Sequence, residues 1–202
     1  MKKEGLLNEK EWIHQQPSLS AKELEQRQRL FTEKDKSLKA TPNLSVAKTR
    51  LQLRNLPKRE FYEEELRELL ITVAKKYLES DAQPKHGQEL PKAKSLIKQV
   101  KVLRDGEKTQ VVDGEVLKLS SGLAFAEFAD TKIALYAVRY LNNLRLTGNR
   151  GLVVDFAIED ARKMRRRQQK LEAQSAKAKE AKKGYEVDNK KPFNVHRNTT
   201  YY

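Results

Sequence analysis

The residues of this sequence best suited to chemistry are cations that could hold phosphate groups. A dense run of them falls late in the chain: Arg162, Lys163, Arg165, Arg166, Arg167 and Lys170. The 202 residues carry 42 Lys and Arg against 28 Asp and Glu, a net charge of +14. Because guanidinium and ammonium groups bind phosphate oxygens, this excess predicts a polyanionic partner. The same run can instead be a solvated helix face or a nuclear targeting signal, and targeting does not exclude phosphate binding.

Side chains that perform catalysis show no suitable spacing. The three histidines, His14, His86 and His196, lie in three different polar segments. No phosphate-binding glycine loop, metal-ligand spacing or nucleophile motif appears, and the chain has no cysteine for disulfides or thiolate metal sites. We therefore expect no enzyme, no cofactor, no metal and no small-molecule substrate.

Hydrophobic content limits the size of the folded core. Only 38% of the residues are hydrophobic and the mean hydropathy is −0.83, so about half of the chain is expected outside the core. No apolar run approaches the ~20 residues that cross a bilayer. The sequence predicts a soluble protein with no membrane partner.

Two alternating segments predict strands with one face on a core and the other outside. In the stretch "SSGLAFAEF", Ala124, Ala126 and Phe128 fall on the inner face. Its outer face carries Leu123, Phe125 and Glu127, of which Phe125 is an aromatic ring suited to stacking. The segment Arg50–Leu56 places Leu51 and Leu53 inward, and Gln52 and Arg54 outward. We expect the two outer faces to lie side by side. Glu127 is expected at the sheet's periphery or paired with a basic residue such as Arg54.

Further elements complete a recognisable order. Leucines and small residues at helical spacing predict helices over 61–78 and 130–143, with Leu96–Arg104 and Leu152–Ala157 as further strands. Asp113-Gly114 lies between apolar runs and predicts the turn of a protruding hairpin. The order βαββαβ predicts an α+β, ferredoxin-like fold: a four-stranded antiparallel sheet with both helices on one side and the other side uncovered.

Segments on either side of this domain, predicted over residues 49–157, have a different character. Ser20 and Glu23 have capping-box spacing, and Leu24, Phe31 and Leu38 recur every seven residues, which predicts a helix near 20–39 in a polar extension over 1–48. Three apolar residues make a narrow apolar face, and a helix of this kind is marginal alone. We expect it to pack on another surface or to form only in an assembly. Residues 158–184 lack Gly and Pro until Gly184 and predict a basic helix, followed by an extended or disordered tail over 185–202.

The stretch "SGLAFAEF" resembles the third-strand signature of the RNA recognition motif at Gly122, Ala124, Phe125 and Phe128. "LQLRNL" resembles the companion signature of the first strand. The resemblance implies bases stacked on the outer face, although Leu123 and Gln52 stand where that family usually has rings. The predicted RNA-binding residues are those of the two strand signatures together with nearby cations that could contact phosphate: Phe125, Leu123, Gln52, Arg54, Asn55, Lys98, Lys101 and the late basic run. Alternatively, Phe125 contacts another part of the chain and Asn55 only shapes the turn after the first strand.

The lead-in "QRQRLFTEKDKSLKATPNLSVAKTRLQLRNLPK" is similar to the segment before a late RNA recognition motif in the nucleolar protein 4 / RNA-binding motif protein 28 family. Membership would imply a C-terminal portion of a longer protein of the nucleus and nucleolus. It would bind precursor ribosomal RNA during large (60S) subunit biogenesis, among assembly factors and ribosomal proteins in a ribonucleoprotein particle. A second interpretation stays open, in which a degenerate domain mainly docks other proteins.

Overall fold

The computed structural model describes residues 1–7, 13, 19–58, 61–80, 91–112, 115–146, 150–166, 169–170 and 172–173. The chain divides into two units, Met1–Glu159 and Asp160–Tyr202, each described by itself. The elements are α1 (Ala21–Ala40), β1 (Leu44–Arg54), α2 (Glu63–Ser80), a 3₁₀ turn (Ala93–Leu96), β2 (Ile97–Val112), β3 (Glu115–Phe128), α3 (Thr131–Leu141) and β4 (Val153–Asp160).

The four strands form one sheet in the order β2-β3-β1-β4, with β3 antiparallel to both of its neighbours. The central register pairs Gln52 with Phe125 and Leu53 with Ala124. This arrangement confirms the α+β, ferredoxin-like fold. It also confirms that the outer faces of β1 and β3 lie side by side.

Helices α2 and α3 bury the apolar faces that their sequences predict. Leu66, Leu70, Val73 and Ala74 of α2 are fully buried. Five residues of α3 are also fully buried: Ile133, Ala134, Ala137, Val138 and Leu141. They pack on the inward side chains of the strands, including Leu51 and Phe128. None of the helices in the described part of the chain is long and apolar enough to cross a membrane.

Strand ends differ from the predicted ones. β1 begins at Leu44 rather than Arg50 and ends at Arg54, because Asn55 takes a positive φ of 63°. β4 continues to Asp160, so a basic helix beginning at residue 158 is wrong; helix begins at residue 161. Pairing of Val112 with Glu115 supports the predicted hairpin. Its turn, Asp113-Gly114, and the predicted tail over 185–202 lie outside the described residues.

The expectation of an uncovered outer sheet face is wrong on the β4 side. Val153, Asp155 and Ala157 alternate with core residues and therefore face outward, yet each is at most 5% exposed. Helix α1 covers them, since Nζ of Lys34 donates to Oδ2 of Asp155 at 2.9 Å and to the Phe156 carbonyl at 2.6 Å. The helix that the sequence predicts as an extension is thus part of the domain.

Two buried cations hold α1 in place. Arg27 is 1% exposed and Lys34 is 5% exposed. The Arg27 guanidinium donates to the carbonyls of Gly5 and Leu152 and to Oδ1 of Asn142. The capping box of Ser20 and Glu23, present as predicted, starts the helix. The inner face of α1 therefore alternates apolar residues with charged residues that find partners far away in the chain.

One buried amide secures β4 against α3. The Nδ2 group of Asn142 donates to the Val154 carbonyl at 2.6 Å, and its Oδ1 atom accepts from the Val154 amide at 3.1 Å. Gly5 approaches the same place with φ of +80°, and a Cβ there would lie 1.9 Å from the Val154 oxygen. The first residues of the chain therefore pack directly against this strand.

Candidate nucleic-acid interface

Phe125 is a half-buried ring near the middle of the outer sheet face. On β2, the exposed residue Lys101 pairs with it in the register. On the neighbouring strand, the Arg50 guanidinium lies 5.0 Å from the ring centroid, which is cation-π geometry. The ring is therefore flanked by one cation on each side, and Arg50 is a contact that the sequence interpretation missed.

Gln52, Arg54 and Leu123 lie beside this ring, all half-buried. Arg54 pairs with Leu123 in the register, and its Nη2 group donates to Oε1 of Gln52 at 3.1 Å. The register places Arg50 opposite Glu127 and Arg54 opposite Leu123, so the basic residue beside Glu127 is Arg50 and not the suggested Arg54. Arg54 is the last residue of β1, and no carboxylate lies opposite it in the register.

Asn55 ends β1 through its backbone conformation and through a hydrogen bond from its side chain. Its Nδ2 group donates to the Gly151 carbonyl at 3.0 Å and ties the end of β1 to the residues before β4. A positive φ suits Asn, whose short polar side chain tolerates that region. The geometry accounts for Asn55 without a ligand.

The remaining predicted cations are exposed. Lys98 and Lys101 lie on β2, with Lys98 at an irregularity in the pairing to β3. In the second unit, residues 161–166 are helical and Arg162, Lys163, Arg165, Arg166 and Lys170 are all exposed. Arg167 lies outside the described residues. Their exposure leaves these side chains accessible to phosphate.

Glycine is required in the β3 signature for a backbone reason. Gly122 has φ of +80°, a conformation that side chains strain, and a Cβ there would lie 3.2 Å from the Leu56 carbonyl oxygen. Just before it, where the signature has Lys or Arg, Ser121 donates through its hydroxyl to the Leu103 carbonyl. This strand therefore keeps the fold-determining residue of the signature and lacks its cation.

The ion pair beneath α1 is electrostatically unusual. Burial raises the pKa of Asp155, although Lys34, Arg54 and Arg27 each pull it down. The Lys34 and Asp155 side chains are only 4% and 7% exposed. Buried charges of this kind depend on each other, because losing one partner leaves the other unpaired in a medium that solvates it poorly.

A cleft of about 720 Å³ opens where α1 meets the ends of β1 and β3. It is lined by Gln26, Leu30, Arg54, Asn55, Leu56, Pro57, Lys58, Ser121, Gly122, Leu123 and Arg150. Sequence reasoning found part of this lining, but α1 had no predicted position. In the part of the chain that the structure describes, no cluster of His, Asp and Glu is placed to hold a metal ion.

No protein-family model matches the chain. A curated relative does: the chain is 31% identical over 156 residues to RNA-binding protein 28 of Homo sapiens, covering 76% of this chain and 18% of that protein. The chain carries an RNA recognition motif related to that protein. Strand order, the Gly122–Phe128 signature and this relative carry the identification.

Solved structures of RNA recognition motifs are similar at a low level. The Rna15 motif is 23% identical, with a TM-score of 0.35, over 56% of this chain and 92% of its own. The third motif of Hrb1 is 16% identical, with a TM-score of 0.36, over 62% and 95%. The two motifs of Sex-lethal from Drosophila melanogaster are 22% identical, with a TM-score of 0.34, over 54% and 49%.

Proposed function

We propose that this RNA recognition motif binds RNA without catalysing a reaction. The match to RNA-binding protein 28 over 76% of the chain is the observation that carries the proposal. The surface chemistry supports it, because the outer face presents a ring between two cations, Arg50 and Lys101. A base stacks on the ring, and phosphates on either side of that base meet the cations.

A base that stacks on Phe125 has to compete with the Arg50 guanidinium for the face of the ring. A cation-π contact at a partly exposed site is worth about 0.5–1 kcal/mol, whereas stacking a base is worth about 1–3 kcal/mol. The base therefore wins the ring face, and the displaced guanidinium is free to contact the adjoining phosphate. Arg50 thus changes partner on binding.

The basic helix of the second unit adds affinity without sequence preference. Its exposed cations, Arg162, Lys163, Arg165, Arg166 and Lys170, neutralise phosphates of the same RNA. For single-stranded RNA the logarithm of affinity falls with the logarithm of salt by about 0.7 per phosphate neutralised. Titrating a labelled single-stranded RNA at several salt concentrations measures this slope, and a flat dependence contradicts the proposal.

We propose further that the RNA is precursor ribosomal RNA and that the chain acts in the nucleolus during large-subunit assembly, next to assembly factors and ribosomal proteins. The resemblance of the lead-in segment and the relative support this narrower role, although the chain spans 18% of that relative's length. Crosslinking in cells followed by sequencing of the attached RNA tests it. Ribosomal precursor sequences should dominate, and messenger RNA would point to a general RNA-binding role.

A second candidate function is protein docking through the helical side of the domain. Tyr77, Tyr136 and Tyr140 form a ring cluster there, with centroids 5.5 and 6.0 Å apart, and a hydrogen bond with Tyr140 raises the pKa of Lys76. Tyrosine is enriched at protein interfaces. Replacing Tyr77 and Tyr136 by serine should release protein partners and leave RNA crosslinking intact, while replacing Phe125 should do the reverse.

A further inference from the structure

The cleft between α1 and the ends of β1 and β3 adjoins the Phe125 surface and shares Arg54 and Leu123 with it. Phe125, Arg50 and Lys101 do not line it. One wall comes from Gln26 and Leu30 of α1, so this site depends on a helix that stands outside the βαββαβ core. Whatever the cleft binds, α1 takes part in binding it.

Chemistry of the lining favours an anion with an apolar part. Among the described residues that line the cleft, three are cations, Arg54, Lys58 and Arg150, and none is a carboxylate. Leu30, Leu56, Pro57 and Leu123 supply apolar surface beside them. Pockets of this kind hold a flat apolar group against side chains while a few placed polar groups fix its orientation.

Arg54 has hydrogen-bonding capacity to spare. Its Nη2 group donates to Gln52, but its buried Nε group has no hydrogen-bond partner among the described residues. The neighbouring Asp155 carboxylate, whose pKa the charge of Arg54 helps to lower, accepts its hydrogen bond from Lys34 beneath α1. The buried Nε group is out of reach of a ligand, so a phosphate oxygen would bind the Nη groups of this guanidinium, without first breaking an ion pair.

We propose that this cleft holds one nucleotide of the bound RNA, its phosphate on Arg54, Lys58 and Arg150 and its base against Leu30 and Leu123. The inference rests on the proposed RNA-binding function and adds a second contact to the one at Phe125. The volume of about 720 Å³ falls within the range of small-ligand pockets, about 300–1,000 Å³. A single nucleotide is a ligand of that size class.

Two isosteric substitutions on α1 provide a matched test. Gln26→Glu places a carboxylate in the cleft, whereas Gln28→Glu makes the same charge change on the same helix at an exposed residue outside the lining. Affinity of the full chain for a mixed-sequence single-stranded RNA is measured for each. We expect Gln26→Glu to weaken binding by about tenfold, equivalent to one decade of Kd, and Gln28→Glu to change it by less than about twofold.

Equal affinities of the two variants, with Phe125→Ala still weakening binding, would overturn the cleft site and leave the proposed function standing. No RNA binding by the unaltered chain would overturn both. Amide NMR spectra of the unaltered chain, titrated with nucleoside monophosphates and separately with inorganic phosphate, give a second measurement. Shifts at Gly122 and Arg150 with nucleotides at lower concentrations than with phosphate support the proposal, and equal responses to both overturn it.

Discussion

The two halves of the outer sheet face differ in what covers them. On the β4 half, Val153 and Ala157 are almost completely buried under α1, with the Lys34–Asp155 pair among them. On the β1–β3–β2 half, Phe125 and its neighbours remain half-buried, with a cation-π contact as their cover. One half of the outer face is therefore covered by a packed helix and, among the described residues, the other half only by the Arg50 side chain. Helix α1 thus covers part of the outer sheet face and forms a cleft along its own margin.

Removing the Lys34 cation under α1 should have the largest effect on this difference between the two halves. Lys34→Met leaves Asp155 buried without its partner, and losing one partner of a buried pair costs about 3–5 kcal/mol. Urea unfolding should show this loss. Replacing the exposed Lys39, which pairs with Asp35 on the surface, should leave the unfolding midpoint almost unchanged.

A double variant separates burial of charge from packing. Lys34→Met combined with Asp155→Leu replaces the whole pair by apolar groups and should recover most of the lost stability. A double variant that is as unstable as the single one would mean that α1 is held by packing and not by the ion pair.

The loose half of the face should respond in binding rather than in stability. Phe125→Ala should weaken RNA affinity by about 1–3 kcal/mol, the value of one stacked base, because no other ring lies on that face among the described residues of β1 and β3. Phe125→Trp, which keeps a ring, should bind normally. Fluorescence anisotropy measures both affinities, and thermal unfolding should show that both variants are folded.

Acid should partly repair the Lys34 variant. Burial raises the pKa of Asp155 and Lys34 opposes that rise, so Lys34→Met should raise the pKa further. A raised carboxyl pKa stabilises the fold below the unfolded value of about 3.9, and this stabilisation is lost as pH rises through the folded pKa. The loss of unfolding free energy in Lys34→Met, relative to the unaltered chain, should therefore shrink as the pH falls from about 7 towards about 4. Each unit by which the substitution raises the Asp155 pKa corresponds to about 1.4 kcal/mol.

Urea midpoints of the variant and the unaltered chain across this pH range test the expectation. A deficit that stays constant with pH would show that Asp155 does not titrate differently in the two proteins.

The smallest expected effect belongs to Lys101. Lys101→Gln should lower the salt slope of RNA binding by about 0.7, the loss of one phosphate contact, since Lys101 pairs with Phe125 across the strands. Lys75, exposed on α2, offers the same substitution on the helical side, where the slope should not move. Equal slopes for both variants would place the RNA elsewhere.

The sequence predicts the burial of a residue well when the pattern of nearby residues decides it, and poorly when partners distant in the sequence decide it. The faces of α2 and β3 follow from helical and strand periodicity, because their buried side chains are apolar and regularly spaced. In α1, Leu24 and Phe31 are predicted to face inward, but Arg27 and Lys34 lie on the same side and are buried more deeply. A cation in a sequence predicts an exposed side chain unless a buried partner is known. The partners of Arg27 and Lys34 lie at Gly5, just after α3 and over residues 152–156.

The candidate site divides in the same way. Phe125 and Arg54 lie on the outer face where strand alternation predicts them. Arg50 over the ring and Gln26 beside the cleft could not be predicted, because one requires a side-chain rotamer and the other requires the position of α1. Alternation assigns a face to a residue, and it does not say what covers that face.

The amide of Asn142 has a consequence for how copies of this domain meet one another. β4 is an edge strand, and an edge strand with free N–H and C=O groups can recruit a strand from another molecule. Both backbone groups of Val154 are already bonded to the Asn142 side chain, much as a neighbouring peptide would bond them. An incoming strand would need these two groups, so the Asn142 side chain closes the β4 edge to strand addition at Val154.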